Sequence, residues 1–503
     1  MAVPRVHPGM RPAAGMPPTA REPSAWPGAD DVPRVLDLLD RPGCVLCRTQ
    51  ADAAGTWMRW FVLENHSDPA TLLALGESTG FCPAHTRRVL TEAGPDVLRL
   101  PWEFTVRGAI DWAGRLASGR PAGRFRRSTP RASCPLCRVI AQRERATRSD
   151  LAACLDNPEV MATLRHRGAL CYRHLRDLLP GLPPAQAAVA AAAVADLLTG
   201  VPPGSREASL MLAGHDLDAL ARAPYLDAHA LALTEEAQGN LRAGRMADLA
   251  PADRMIAELI AGSCPVCRAT GREETRYLRW LGEHRPRDGP ASLDLHLCGV
   301  HLHDAWSADG AEGAGPLVTG VRGAAARDQA AALAAAAGSL RSAPRGGRPP
   351  ARVSGGKAGR RAPQEAFRVA AHRVIDDGYC RACRVGEGAA ARQQALLRAC
   401  LRDPRVLRVL EESHGLCLRH GAEVAAGPEA APVLIRLLSQ LRQVQWELDE
   451  DAQKQAWDRR HEPKGREQAA WRRLPALLDG EAHLGTTVSD GIGHAAPSGP
   501  PAW

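Results

Sequence analysis

Cys134-Pro135-Leu136-Cys137-Arg138 opens, and Leu170-Cys171-Tyr172-Arg173-His174 closes, the stretch on which the reading of this chain turns. Between the two ends runs a helix-forming segment with a break at Asn157-Pro158. A C-x-x-C pair followed some thirty residues later by C-x-x-H supplies three soft thiolates and one imidazole. That is the donor set of a closed tetrahedral zinc site. Each short step lets two side chains converge on one ion from a tight turn. Placing the turn at a helix start adds free N–H groups and the positive dipole end, which favour thiolate.

The pattern occurs four times. Cys44/Cys47 is followed by Cys82/His85, Cys134/Cys137 by Cys171/His174, Cys264/Cys267 by Cys298/His301, and Cys380/Cys383 by Cys417/His420. The simplest expectation is that each C-x-x-C binds its ion with the C-x-x-H that follows it, across a helical hairpin. In units one, two and four a proline (Pro69, Pro158, Pro404) stands thirteen residues before the third cysteine, which points to duplication of one unit. Unit three is the most divergent copy. There His296 and His303 flank the motif, and His301 keeps the C-x-x-H spacing. The remaining cysteines, Cys154 and Cys400, fall on apolar helix faces and read as small buried hydrophobes. The residue after each second cysteine is Arg48, Arg138, Arg268 or Arg384. Either its guanidinium offsets the negative charge of a Cys₃His site and bonds a sulfur, or duplication copied it.

Composition fits this reading. The 503 residues are 45% hydrophobic but hold only 5 Phe and 4 Tyr, and much of the apolar content is Ala. Units of roughly 80 residues are marginal on hydrophobic burial alone, and a structural metal is a common remedy. The formal charge of +8 is carried by Arg, with Lys only at 357, 454 and 464, which reads as GC-rich bacterial coding. Twelve thiolates and four Zn²⁺ would lower that charge to about +4, a weak attraction for phosphate backbones. The first thirty residues hold no apolar signal core, and the Ala-rich run from Ala187 to Leu198 carries Asp196. A reduced, cytoplasmic setting is expected, where paired cysteines bind metal more often than each other.

In order, the chain divides into a disordered terminus (1–33), unit one (34–118), unit two (119–204), a helical connector (205–260), unit three (261–340), a basic flexible linker (341–363), unit four with a long C-terminal helix (364–475), and a disordered tail (476–503). The fold class is all-α. The long helix, with Leu434, Leu437, Leu441, Val444 and Leu448 at steps of three and four, is expected to pack on its own unit.

The combination of C-P-x-C-R, a following helix, a D-P or N-P break and G-[FL]-C-x-x-H resembles a set of uncharacterised bacterial proteins. They carry one or more such cysteine/histidine units in helical surroundings. The residues that carry the resemblance are Cys134 to Arg138, Cys264 to Arg268, Gly80 to His85 and Gly415 to His420. Unit one departs with Val45 and unit four with Arg381 in place of the proline, and unit three lacks the glycine. The resemblance implies a metal-binding helical module and supplies no activity.

Signals for catalysis are thin. Gly76-Glu77-Ser78-Thr79-Gly80 matches a nucleophile-elbow pattern without the strand that motif needs. A four-ligand site leaves no open position for water, so the expectation is a non-catalytic zinc protein, not an enzyme, acting as scaffold or protein-interaction module for a protein partner or through self-association. Two alternatives are an RNA- or DNA-associated regulator using Arg-rich segments 120–131 and 341–363, and an iron–sulfur redox protein. No membrane partner is expected.

Overall fold

The computed structural model describes residues 31–118, 134–167, 170–214, 249–261, 263–283, 296–307, 314–342, 358–375, 380–424 and 431–480. Among them are twenty α-helices, a few short 3₁₀ turns and no strand. Residues 1–30 of the expected disordered terminus, the basic segment 120–131, residues 215–248 of the expected helical connector, 343–357 of the expected linker and 481–503 of the expected tail lie outside the described residues.

The first half comprises α1 (Val32–Asp40), α2 (Val45–Leu63), α3 (Pro69–Ser78), α4 (Pro83–Glu92), α5 (Pro95–Ala117), α6 (Pro135–Cys154), α7 (Pro158–Arg167), α8 (Tyr172–Leu178), α9 (Pro184–Gly200) and α10 (Arg206–Ala213). The second comprises α11 (Pro251–Ile260), α12 (Pro265–Glu283), α13 (Gly299–Ser307), α14 (Ala314–Ser342), α15 (Ala358–Ile375), α16 (Arg381–Cys400), α17 (Pro404–Glu412), α18 (Leu418–Val424), α19 (Ala431–Lys454) and α20 (Ala470–Asp479). Local sequence explains most starts. Proline occupies the first helical position of α3, α4, α5 and α6, where its missing N–H costs nothing. Asp68 caps α3 by accepting from the Thr71 N–H at 2.8 Å, and Asp403 caps α17 through Arg405 N–H at 2.8 Å.

The long helix of one unit pairs with that of the next. Cys44, Val45 and Leu46 at the start of α2 share a core with Leu151, Cys154 and Leu155 at the end of α6, while Met58 and Phe61 near the end of α2 pack with Leu136 at the start of α6. The pair is therefore antiparallel. The second half repeats it: Cys264 and Val266 of α12 meet Leu397 and Leu401 at the end of α16, and Leu278 and Leu281 meet Ala382 at its start.

The two halves are also interlocked. α9 and α10 of the first half pack on α14 of the second, and α19 and α20 of the second pack on α5 of the first. Leu437, Leu441, Val444 and Leu448 of α19 share one core with Trp102, Val106, Ala109 and Ala113 of α5. The expectation that this helix packs on its own unit holds for its start, where Val433 shares a core with Leu416, Cys417 and Val424, and is corrected for the rest, which packs on α5. Its apolar stripe is a good stripe, and amphipathicity alone does not name the partner. Side-chain bonds reinforce the exchange: Thr86 Oγ1 donates to Asp479 Oδ2 at 2.9 Å, and the Tyr172 hydroxyl donates to Gln329.

Three segment boundaries also move. The terminus expected through 33 ends earlier, because α1 begins at Val32. The tail expected from 476 begins later, because α20 runs to Asp479 and buries Ala476, Leu477 and Leu478. The linker expected through 363 ends earlier, because α15 begins at Ala358.

Candidate metal centres

The helix lengths decide which cysteines meet. At 1.5 Å per residue, α2, α6, α12 and α16 (19, 20, 19 and 20 residues) run about 28–30 Å, whereas the returning helices α3, α7 and α17 (10, 10 and 9 residues) run about 14–15 Å. A hairpin that returns half as far as it went cannot bring its C-x-x-H back to its own C-x-x-C. Antiparallel pairing of two such hairpins delivers each C-x-x-H to the other's C-x-x-C.

The sixteen cysteines and histidines expected from the sequence accordingly form four clusters, with exchanged membership. They are Cys44, Cys47, Cys171 and His174; Cys82, His85, Cys134 and Cys137; Cys264, Cys267, Cys417 and His420; and Cys298, His301, Cys380 and Cys383. The expected pairing of each C-x-x-C with the C-x-x-H that follows it in sequence is therefore corrected in all four cases. Units one and two trade partners, and so do units three and four.

Within each cluster the ligand atoms all lie within 4.8 Å of one another. An ion with Zn–S near 2.3 Å and Zn–N near 2.0–2.1 Å sets tetrahedral edges of about 3.8 Å (S···S) and about 3.6 Å (S···N). The sulfur pairs Cys47–Cys171, Cys82–Cys137, Cys267–Cys417 and Cys298–Cys383 are 3.8, 3.5, 3.8 and 3.9 Å apart. The sulfur–imidazole distances run from 3.2 Å (Cys267–His420) to 3.6 Å (Cys264–His420), always to Nδ1. The residues present fit one tetrahedral ion per cluster, and no disulfide competes for the thiols among the described residues.

Each cluster sits where two helices begin. The carbonyls of Cys44, Cys134, Cys264 and Cys380 accept from the N–H groups of Arg48, Arg138, Arg268 and Arg384 at 3.0–3.1 Å, so each C-x-x-C occupies the first helical turn. The carbonyls of Cys82, Cys171, Cys298 and Cys417 do the same for the C-x-x-H turns at 2.8–2.9 Å. Two positive helix ends thus face each group of thiolates. Burial opposes charge on Cys134, but hydrogen bonds from Cys137, Cys82 and His85 hold its thiol well below the usual range. Burial likewise opposes charge on His174 and His420, yet the neighbouring thiolates, Cys44 and Cys47 for the first and Cys417 and Cys264 for the second, push them up to about 10 and about 11. In the same clusters Cys134 and Cys82 raise the Cys137 thiol, Cys44 and Cys47 that of Cys171, and Cys264 and Cys417 that of Cys267, so a cation must displace protons to bind.

The far side of the imidazole meets carboxylates in two clusters. His301 Nε2 lies 3.5 Å from Glu274 Oε2, and Gly386 makes room for that carboxylate, since a Cβ there would stand 2.5 Å from Glu274 Oε1. Glu144 and Asp177 bring carboxylate oxygens within 4.8 Å of a ring nitrogen of His174. The Glu274 carboxylate orients the His301 imidazole and raises its basicity, whereas His174 Nε2 has no hydrogen-bond partner among the described residues.

Two residues that the sequence reading missed are Gly214 and Gly480. Each ends the last helix of its half with positive φ (82° and 85°), and each lies against a cluster. A Cβ on Gly214 would stand 3.2 Å from Cys47 Sγ, and one on Gly480 2.4 Å from Cys267 Sγ. The available signal was a glycine closing an apolar helix, Leu210-Met211-Leu212-Ala213-Gly214 and Ala476-Leu477-Leu478-Asp479-Gly480.

The arginines after the second cysteines follow neither sequence reading alone. Arg48 donates to the carbonyls of Leu38, Arg41, Pro42 and Gly43, and Arg268 donates to the Glu258 carbonyl and carboxylate and to Ser263 Oγ. Both tie down the C-terminal end of the preceding helix, α1 or α11, where a cation is favourable. Arg138 and Arg384 are exposed. Cys154 and Cys400 are buried at 4% and 5% exposure and belong to none of the four clusters. Ser78 Oγ is buried against the backbone carbonyls of Ala74 (2.8 Å) and Gly80 (2.7 Å), closing α3. No helix of the described residues is long and apolar enough to cross a membrane. No protein-family model, no curated protein and no solved structure matches the chain.

Proposed function

We propose that this chain is a non-catalytic zinc protein in which four ions staple exchanged helical hairpins into one rigid scaffold for a protein partner. The observation that carries the reading is the donor geometry: three sulfurs and one Nδ1 at tetrahedral edge distances, four times over. Four protein donors complete the coordination of Zn²⁺, as in structural rather than hydrolytic sites. Sulfurs this close suit a single ion, whereas an iron–sulfur cluster spreads its cysteines around several metal atoms. The buried Ser78 hydroxyl, directed at carbonyls, lends no support to a nucleophile there. The Arg-rich segments that motivated a role with nucleic acid lie mostly outside the described residues and add nothing to that alternative.

Elemental analysis of the purified full chain tests the metal reading. About four zinc per chain and a colourless preparation are expected, and removal by a strong chelator should abolish most of the helical circular dichroism. Iron with visible absorbance, or a metal-free protein that melts unchanged, overturns it. The scaffold reading predicts no hydrolase or redox turnover by the zinc-loaded protein. It also predicts a partner whose capture survives substitution of Ser78 but not metal removal.

A further inference from the structure

The cluster of Cys82, His85, Cys134 and Cys137 belongs to the first half and that of Cys264, Cys267, Cys417 and His420 to the second, yet α20 packs on a ligand-bearing helix of each, α4 and α18. At its end, a Cβ on Gly480 would stand 2.4 Å from Cys267 Sγ and 3.1 Å from Cys417 Sγ, so the backbone there lies against two donors of the second cluster. One residue earlier, Asp479 Oδ2 accepts from Thr86 Oγ1 at 2.9 Å, and Thr86 directly follows the donor His85. The Thr86 N–H donates to the Cys82 carbonyl at 2.8 Å, so this threonine closes the C-x-x-H turn of the first cluster. Adjacent residues at one helix end thus engage two metal centres.

The connection is enclosed. Thr86 and Asp479 are buried, and Leu477 and Leu478 share a core with Phe81 and Cys82 on one side and with Leu418, next to Cys417, on the other. A buried hydrogen bond tolerates little displacement, since moving one partner leaves a desolvated group unpaired. The fold does not demand this bond. In the reciprocal contact, where α10 packs on α13, Leu302 follows His301 as Thr86 follows His85, and Ala213 precedes Gly214 as Asp479 precedes Gly480. Neither of those side chains can form it.

Each ion bears on this contact. An ion on Cys82 and His85 fixes the turn that aims Thr86. An ion on Cys267 and Cys417 fixes the surface on which Gly480 rests. Both therefore favour the docked position of α20, and two ligands that favour the same state of one element strengthen each other.

On the metal reading given above, we propose that α20 couples these two centres, so that each ion tightens the hold on the other, with Thr86 and Asp479 as positioning residues. The test equilibrates the full-length, zinc-loaded protein with graded chelator, applies a pulse of thiol alkylation and reads each cysteine by peptide mass spectrometry. His85→Ala should lower the chelator midpoint for exposing Cys267 and Cys417 at least tenfold, whereas Cys44→Ser, which also removes one ion, should lower it less than twofold. Coupling is reciprocal, so His420→Ala should lower the midpoint of Cys82 and Cys137 by a similar factor. Thr86→Val keeps every donor and all four ions, and should lower the Cys267 midpoint at least threefold without moving that of Cys44. In the His85→Ala background it should add nothing, whereas a merely structural threonine would act equally with and without that ion. Thr86→Val also keeps the test open if His85→Ala folds poorly. Equal effects of His85→Ala and Cys44→Ser, or a Cys267 midpoint indifferent to Thr86→Val, overturn the coupling alone; a purified protein without metal overturns it together with the metal reading.

Discussion

The cluster of Cys264, Cys267, Cys417 and His420 and the cluster of Cys298, His301, Cys380 and Cys383 lie at opposite ends of the same helix pair, α12 and α16, and use the same four donors. Their surroundings differ. In the first every residue is buried and Gly480 closes over two sulfurs; in the second the three cysteines are only partly buried and just the imidazole is enclosed. The donor set recurs at both ends, whereas the cover depends on which segments of the rest of the chain reach each end. Donor set and accessibility are therefore determined separately in this molecule.

The largest expected effect tests the same exchange in the two clusters of the first half. Cys44→Ser and His174→Ala should each remove the same one of four ions, and the double variant should remove no more. Cys44→Ser with His85→Ala should remove two. Each lost ion should cost several kcal/mol of stability, since structural zinc contributes on the order of 10–16 kcal/mol in finger peptides. Metal counting of the purified variants decides it: if the Cys44/His85 pair behaves as one site, the exchange is wrong.

Next comes the difference in cover. Under a moderate excess of chelator, one ion, that of Cys298, Cys380 and Cys383, should leave at least tenfold faster than the ion of Cys264, Cys267 and Cys417. Single-phase release of all four ions would show that cover is irrelevant.

A smaller effect concerns the closing glycine. Gly480→Ala places a methyl 2.4 Å from Cys267 Sγ at a φ of 85°, and should lower stability by about 1–3 kcal/mol. It should also erase most of the difference in release rate. A thermal melt and the same chelator assay measure both.

The smallest effect lies at the α11 anchor. Burial opposes the charge on Glu258, but Arg272 and Arg268 hold its carboxyl below the usual range. A lowered folded pKa means that its stabilisation is full above the ordinary carboxylate value and fades as pH falls through the folded one. Glu258→Gln should therefore cost about 1–2 kcal/mol at pH 7 and progressively less below about pH 4, read as the gap between the two melting temperatures. A constant gap would mean that the ion pair is not the source.

Much of this arrangement was legible in the residues. The C-x-x-C and C-x-x-H steps named every member of the four clusters, and the spacing of Leu and Ala named the helices. The partner choice was legible too, but in a different currency: Pro69, Pro158 and Pro404 mark return helices about half as long as the outgoing ones, which rules out closure within a hairpin. What could not be read was long-range. Nothing local in α19 distinguishes packing on its own unit from packing on α5, and Gly480 stands sixty residues beyond His420 with no fixed spacing to announce it. The role of Arg48 and Arg268 was hidden for the same reason, since it depends on where the preceding helix ends.

The interlock of α20 with α4 and α5 has a consequence for biosynthesis. The pocket around Trp102 and Val106 cannot be completed until Leu474 and Leu477 have been made, about 370 residues after Val106. At about 5–20 residues per second, that leaves an early, aromatic-rich surface waiting roughly 20–70 s for its cover on the ribosome. A nascent chain truncated before α20 should therefore depend on chaperones in a way the finished protein does not.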